Sequence, residues 1–426
     1  MKLRIEKAIY GGAGLARDEG KAIFVPFTLP GEVVEARIIE DRGSYANAEP
    51  DKVLEASAER VAAPCPYFGE CGGCHYQHAS YAEQVKLKAG ILRESLERAH
   101  LRDIPEISVL QGEPLGYRNR MRLRVDRTTS KLCYRRRGSH AELVVEECPI
   151  AATVLEEALR AMQARTAEWR QGEWADEVEL FTNAEQSEVL VTLWTRRGKG
   201  ETDGCLGRLW PKLRDAIPQV AGVAILSSDE GRKKRGGLLA KAGEQALTYR
   251  AAGNEYRVSL GSFFQVNRFL VDALVQRVTA GRSGVVAWDL YAGVGLFARA
   301  LAGGFDKVVA VESAASSVAD LRHNVGAPHR VVAAGTLEFL RSARAERQPK
   351  PDYVVVDPPR AGLGKEISGL LSQIGPKHIT YVSCDPATLS RDLKSLLDSG
   401  YHLTDLTLVD LFPQTFHLES VAMLSR

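Results

Sequence analysis

From about residue 256 the chain alternates short apolar runs with amphipathic segments. "VVAWDLYAGVGLFARALAGG", "KVVAVES", "VADLRHNV", "DYVVVDPPRAGLG", "HITYVSCDP" and "TLSRDLKSLLDSG" succeed one another in that order. Strand alternating with helix predicts a doubly wound, mostly parallel sheet with crossover helices, a Rossmann-like α/β domain. The last segment, "LTDLTLVDLFPQTFHLESVAMLS", carries two strands with no helix between them. It predicts a hairpin that places one antiparallel strand in the sheet. Ligands of such sheets bind beyond the C-terminal ends of the strands, so residues there are the first candidates for chemistry.

The first of those ends is "WDLYAGVGLF". The strand stops at Asp289 and Leu290, and Gly293 and Gly295 form a Gly-x-Gly turn before a helix. Glycine there lets the backbone approach a ligand. Glu312 ends the next strand, about 20 residues on, where a carboxylate can bind ribose hydroxyls. An acid at the start of the loop repels a pyrophosphate and suits the ammonium group of S-adenosylmethionine. A loop binding another adenine ligand is the competing reading. Asp357 ends the strand "DYVVVD" and leads into "PPRAGLG", whose prolines stiffen the turn.

The strand "HITYVS" delivers Cys384 to the same edge, and the final hairpin delivers Glu419. A thiol, a carboxylate and a methyl donor together suit one chemistry. A pyrimidine C5 is a weak nucleophile until a thiolate adds to C6. C5 then takes the methyl, a base removes the C5 proton, and the thiolate leaves.

Three units are expected: a barrel of the oligonucleotide-binding kind over 1–58, a central unit over 59–255 and the α/β unit over 256–426. The first 58 residues show short strands punctuated by Gly and Pro, a pattern shared by any small antiparallel module. "SYAEQVKLKAGILRESLERAHL" predicts a helix near 80–97 with Ser80 as N-cap. Residues 117 to about 255 read as an antiparallel sheet with one helix at "IAATVLEEALRAMQARTAEW". "CPYFGECGGCHYQH" places Cys65, Cys71 and Cys74 at C-x5-C-x2-C spacing. Cys148, also followed by Pro, is the expected fourth ligand and Cys133 the alternative. Four thiolates suit a [4Fe-4S] cluster or zinc, with His75 and His78 as further zinc donors.

Net charge is only +2, so a polyanion must be met by a local patch. "YRNRMRLRVDRTTSKLCYRRRG" supplies one: Arg120, Arg122 and Arg124 alternate with apolar residues, Arg135 to Arg137 extend the run, and "GRKKRGG" adds a second. Looped or single-stranded RNA fits such a face. There is no apolar run of a signal peptide or a membrane span, so a cytoplasmic protein with reduced thiols is expected. It is expected to act as a monomer.

The motifs "CPYFGECGGCHYQH", "GSFFQVN", "DLYAGVGLFA", "DPPRAGL", "VSCDPATLSRDL" and "HLESVAML" together resemble the RNA uridine C5-methyltransferases. The branch they resemble is the one acting on 23S rRNA, with an N-terminal TRAM domain and a [4Fe-4S] cluster. The resemblance implies Cys384 as nucleophile on uracil C6 and Glu419 as the base. It implies S-adenosylmethionine contacts at Gln265, Tyr291, Glu312 and Asp357, and cluster ligands Cys65, Cys71, Cys74 and Cys148. Phe263 and Phe264 would shape the base pocket. Ala292 stands where the family often has Cys, and Thr336 where many methyltransferases offer an acid to the adenine. In such relatives the helix near 80–97 packs on the catalytic unit. A tRNA uridine methyltransferase and an inactive RNA-binding protein are the alternatives.

Overall fold

The computed structural model describes residues 1–169, 175–228 and 237–426. The basic stretch "GRKKRGG" lies outside the described residues, apart from Gly237. Among the described residues no helix is long and apolar enough to cross a membrane.

The strands Lys2–Ala8, Ala13–Asp18, Lys21–Pro26, Val33–Asp41 and Tyr45–Glu55 form a closed barrel. In the first strand Leu3 and Ile5 turn inward at alternate positions, before a bulge at Ile5–Lys7. Leu3, Ile5, Ile23, Val25 and Val34 fill the interior with four alanines. Small side chains suit the tight lumen of a five-stranded barrel. Closure decides between the barrel and an open antiparallel module.

The central sheet has seven strands, ordered Leu238–Gly243, Val220–Ser227, Val189–Thr195, Glu177–Thr182, Arg120–Val125, Leu132–Arg135 and Glu142–Val144. The expected helix is present as Thr153–Gln163. A second one, Lys199–Ala216, was not expected, and its crossover makes Val189–Thr195 and Val220–Ser227 parallel rather than antiparallel. Three glycines and Pro211 inside it hide its helical signal.

The catalytic sheet runs Arg330–Ala333, Phe305–Glu312, Gly284–Leu290, Tyr353–Val356, His378–Ser383, Glu419–Ser425, His402–Val409 and Ile107–Leu110. The first five are parallel, and Glu419–Ser425 runs antiparallel to His378–Ser383. The eighth strand, Ile107–Leu110, comes from the stretch expected to be central and pairs parallel with His402–Val409. Helix Tyr81–Arg98, capped by the Ser80 hydroxyl, shares a core with Leu389, Leu393 and Leu408. Residues 81–110 are therefore built into the catalytic layer. Hairpin Ala246–Ala251/Asn254–Ser259 spans the expected boundary at 256, and its Tyr249 and Tyr256 join the same core as Phe264 and Val275.

The buried Lys88 ammonium donates to Asp410 Oδ1 at 2.6 Å and to the Phe412 carbonyl at 2.9 Å. Gln84 donates from its Nε2 to Gln414 Oε1 at 3.0 Å and accepts the Gln414 backbone N–H at 2.9 Å, which holds the same loop, leading into Glu419. A buried ion pair adds little net stability, but removing one partner strands a charge, so the pair fixes geometry.

Candidate active site

A cavity of about 650 Å³ opens at the C-terminal edge of the catalytic sheet. Gln265, Tyr291, Gly293, Glu312, Asp357, Cys384 and Glu419 all line it. Residues far apart in sequence are thus brought to one space.

One wall is the turn after Gly284–Leu290. Tyr291, Gly293 and Gly295 all have positive φ (66°, 56° and 94°). At Gly295 a Cβ would stand 2.7 Å from a Leu321 methyl, so the glycine is required by both conformation and space. Glu312 accepts the Gly293 N–H at 2.9 Å with one oxygen and the Ser313 and Ala314 N–H groups with the other. Asp289 does not serve as the ammonium acceptor that its place in the loop suggested. It is buried below the cavity floor, where Oδ2 accepts the Ala298 N–H at 2.7 Å. Burial lifts its carboxyl to about 8. Thr336 is buried and hydrogen-bonded to the Tyr291 side chain. Of the two phenylalanines, Phe263 is 64% exposed at the cavity, whereas Phe264 is 2% exposed and packs on Tyr249.

The opposite wall carries the thiol and the carboxyls. The Asp-Pro after Cys384 is a helix start: Asp385 caps Pro386–Asp398 by accepting from Ala387 and Thr388 N–H, with Pro386 in the first turn. Ser383 pairs with Ser420 across antiparallel strands, so one residue further Cys384 stands opposite Glu419. Burial pushes the Cys384 thiol up to about 11, helped by the Glu419 and Asp357 carboxylates and opposed by Arg360. Glu419 is buried, and its Oε1 has no hydrogen-bond partner among the described residues. Burial first, then Asp357, hold its carboxyl well above the usual range, against Arg360. Burial lifts Asp357 to about 7. Among the lining residues to which the sequence reading gave no role are Arg118, Arg360, Phe412 and His417. Arg360 lies 3.2 Å from the His417 ring, and burial together with Arg360 pushes that imidazole down to about 3. "DPPR" and "HLES" were the signals, but neither names a partner for its polar residue.

A second cavity, of about 270 Å³, is lined by Cys65, Cys71, Cys74 and Cys148. Burial raises all four thiols, Cys74 to about 12 and Cys148 to about 11. The Tyr134 hydroxyl donates to Cys148 Sγ at 3.9 Å. Cys133, the alternative ligand, points into the core, and its Sγ meets the Lys131 carbonyl. His75 and His78 do not line this space; they pack on Phe416 and Phe68. Among the described residues no group of three His, Cys, Asp or Glu side chains is arranged to hold a metal ion as it stands. Arg118 is half-buried and lines both cavities.

The expected open row of arginines is corrected by the fold. The alternation holds, with Met121, Leu123 and Val125 buried. Arg120, however, is itself largely buried, paired with Glu179 at 3.0 Å and laid over the Phe181 ring at 4.2 Å. Arg122 pairs with Glu177 and stacks on Trp194, and Arg124 meets Glu142 and Glu177. The run is one-signed in sequence because its acids come from other strands. Arg135 remains exposed, 3.3 Å from His140.

The profile of the tRNA (uracil-5-)-methyltransferases matches residues 80–426, and that of the TRAM domain matches residues 1–50. An uncharacterized RNA methyltransferase of Aquifex aeolicus is 34% identical, over 100% of this chain and 98% of its own. The 23S rRNA (uracil(1939)-C(5))-methyltransferase RlmD of Shewanella amazonensis is 30% identical, over 99% of this chain and 94% of its own. The crystal structure of Pyrococcus abyssi tRNA (uracil-54, C5)-methyltransferase with S-adenosyl-L-homocysteine matches with a TM-score of 0.78. It is 25% identical, over 100% of both chains. The chain belongs to the tRNA (uracil-5-)-methyltransferase family and carries a TRAM domain at its N-terminal end.

Proposed function

We propose that this protein methylates C5 of uridine in RNA, with 23S rRNA as the substrate, through a covalent bond from Cys384 to uracil C6. The observation that carries the reading is the thiol of Cys384 opposite the buried carboxyl of Glu419 in the cavity that Glu312, Gly293 and Tyr291 also line. When bound there, S-adenosylmethionine supplies an electrophilic methyl group. Cys384 is held as a thiol, so its proton must leave as sulfur bonds to C6; Asp357 is the base that faces it. Addition moves the C5=C6 electron pair onto C5, which takes the methyl. Glu419, once its own proton has passed to solvent, then removes the C5 proton, the double bond re-forms and Cys384 leaves, regaining its proton from Asp357. The high basicity that burial gives Glu419 suits it to take a proton from carbon. The RlmD relatives, matched over nearly their whole length, favour 23S rRNA over tRNA. Mapping 5-methyluridine in ribosomal RNA with and without the gene tests this. At least one 23S position is expected to lose its methyl; loss confined to tRNA would refute the rRNA assignment.

We further infer that Cys65, Cys71, Cys74 and Cys148 would hold a [4Fe-4S] cluster. The donor set fits: four thiols on one space several times the ~30 Å³ share of a water molecule, with the histidines turned elsewhere. Burial alone leaves these thiols protonated, so a cation is what would make them thiolates. The cluster would tie the 65–74 segment to the central sheet. An anaerobic preparation should be brown with a broad band near ~400 nm. A colourless protein with stoichiometric zinc would overturn the assignment. On this reading 1–58 and the exposed Arg135 meet RNA, and 256–426 with 81–110 performs catalysis, in a reducing cytoplasmic setting suited to seven free thiols.

A further inference from the structure

The N-terminal barrel reaches the nucleophile. Tyr10 lies in the turn between strands Lys2–Ala8 and Ala13–Asp18, yet its hydroxyl donates to the Cys384 carbonyl at 3.4 Å. The ring stands edge-on to Phe416 with centroids 5.5 Å apart. Phe416 in turn contacts His417, which lines the substrate cavity. The turn is firmly seated. Ala8 is buried in the catalytic core, Lys7 pairs with Glu94 at 2.5 Å, and a Cβ on Gly12 would stand 2.9 Å from His75.

The carbonyls on either side of Cys384 are also held. Ser420 Oγ donates to the Ser383 carbonyl, and Ser383 Oγ donates to that of Asp385. Tyr10 supplies the hydrogen bond to the carbonyl between them. A backbone gripped on both sides of the thiol fixes the direction in which Cβ and Sγ leave the strand. Carbon–sulfur bond formation is sensitive to that direction, since approach must be near in-line at a reacting distance of about 3–3.5 Å.

We propose that Tyr10 is a positioning residue for Cys384, through which the seated barrel holds the nucleophile in its attacking orientation. This rests on Cys384 being the nucleophile. Tyr10 does not line the cavity, and its ring packs on Phe416, so its loss should slow bond formation and leave binding alone.

Tyr10→Phe keeps the ring on Phe416 and removes only the hydroxyl. The lost bond, long for O–H···O at 3.4 Å, lies at the weak end of the usual range and predicts a fall of about two- to three-fold in kcat and in the rate of covalent trapping by 5-fluorouridine RNA. KM for RNA, S-adenosylmethionine affinity and the thermal midpoint are expected to be unchanged. Tyr10→Ala should lose more, because the ring contact goes too, and Tyr10→Phe would then rescue part of the rate. If Tyr10→Phe traps RNA at the wild-type rate, or its loss appears only in KM, the positioning role is wrong. If Cys384→Ala still traps RNA, the nucleophile assignment has failed instead, and the two failures are told apart by that control.

Discussion

Cys384→Ala is expected to abolish methyl transfer, by on the order of 10⁴-fold or more, and to abolish covalent trapping by 5-fluorouridine RNA. Binding of S-adenosylmethionine should persist, because the groups expected to contact it stand on other strands and turns. The fold should tolerate the change, because the side chain only becomes smaller at a half-buried position. The size of the effect follows from the chemistry. Without sulfur on C6, C5 has no enolate character, and no other cavity residue is placed to provide it. The thiol's high pKa, pushed to about 11 by burial and two carboxylates, adds that the free enzyme is not a standing thiolate. Reactivity toward a general thiol reagent should therefore be low at neutral pH and rise with alkalinity. Substantial turnover by Cys384→Ala, measured as methyl incorporation into RNA, would end the mechanism.

Glu419→Gln should separate bond formation from release. Sulfur can still add to C6 and C5 can still be methylated, but no base takes the C5 proton. The RNA–protein adduct is expected to accumulate on ordinary uridine RNA, visible as a heat-stable shifted band, while free 5-methyluridine falls to background. The same variant should be more stable than the parent at about pH 8 and equal to it near pH 4. The sign follows from the raised carboxyl. Below the ordinary value of 4.5 both folded and unfolded chains hold the proton, and there is no difference between them. Above it the unfolded chain releases the proton and the folded chain does not, so stability falls as pH rises toward the elevated folded value. Gln carries no charge to desolvate and removes that loss, with an expected rise in Tm at about pH 8. An unchanged midpoint at about pH 8 would show that Glu419 is not a burdened carboxyl.

Much of this site can be read along the chain because its parts sit at strand ends that announce themselves. Asp385-Pro386 is a helix start by its own chemistry, and Gly295 is a position only glycine tolerates. The barrel's inward alternation is likewise local. What misled the reading had partners elsewhere. Asp289 looked like a ligand-facing acid until the Ala298 N–H claimed it. Arg120, Arg122 and Arg124 looked like a bare cationic face until Glu177, Glu179 and Glu142 arrived from other strands. Ile107–Leu110 gave no sign that it would close the catalytic sheet, since a four-residue edge strand is specified by the edge that it joins.

Backbone propensity and side-chain periodicity act over a few residues. They determined the strands, the helix caps, the glycine turn and the thiol at a strand's end. Charge neutralisation, desolvation and interdomain hydrogen bonds act through space between residues as distant in sequence as Tyr10 and Cys384. Only the packed fold decided which carboxyls are proton-loaded, which arginines are spent on partners, and what holds the sulfur in place.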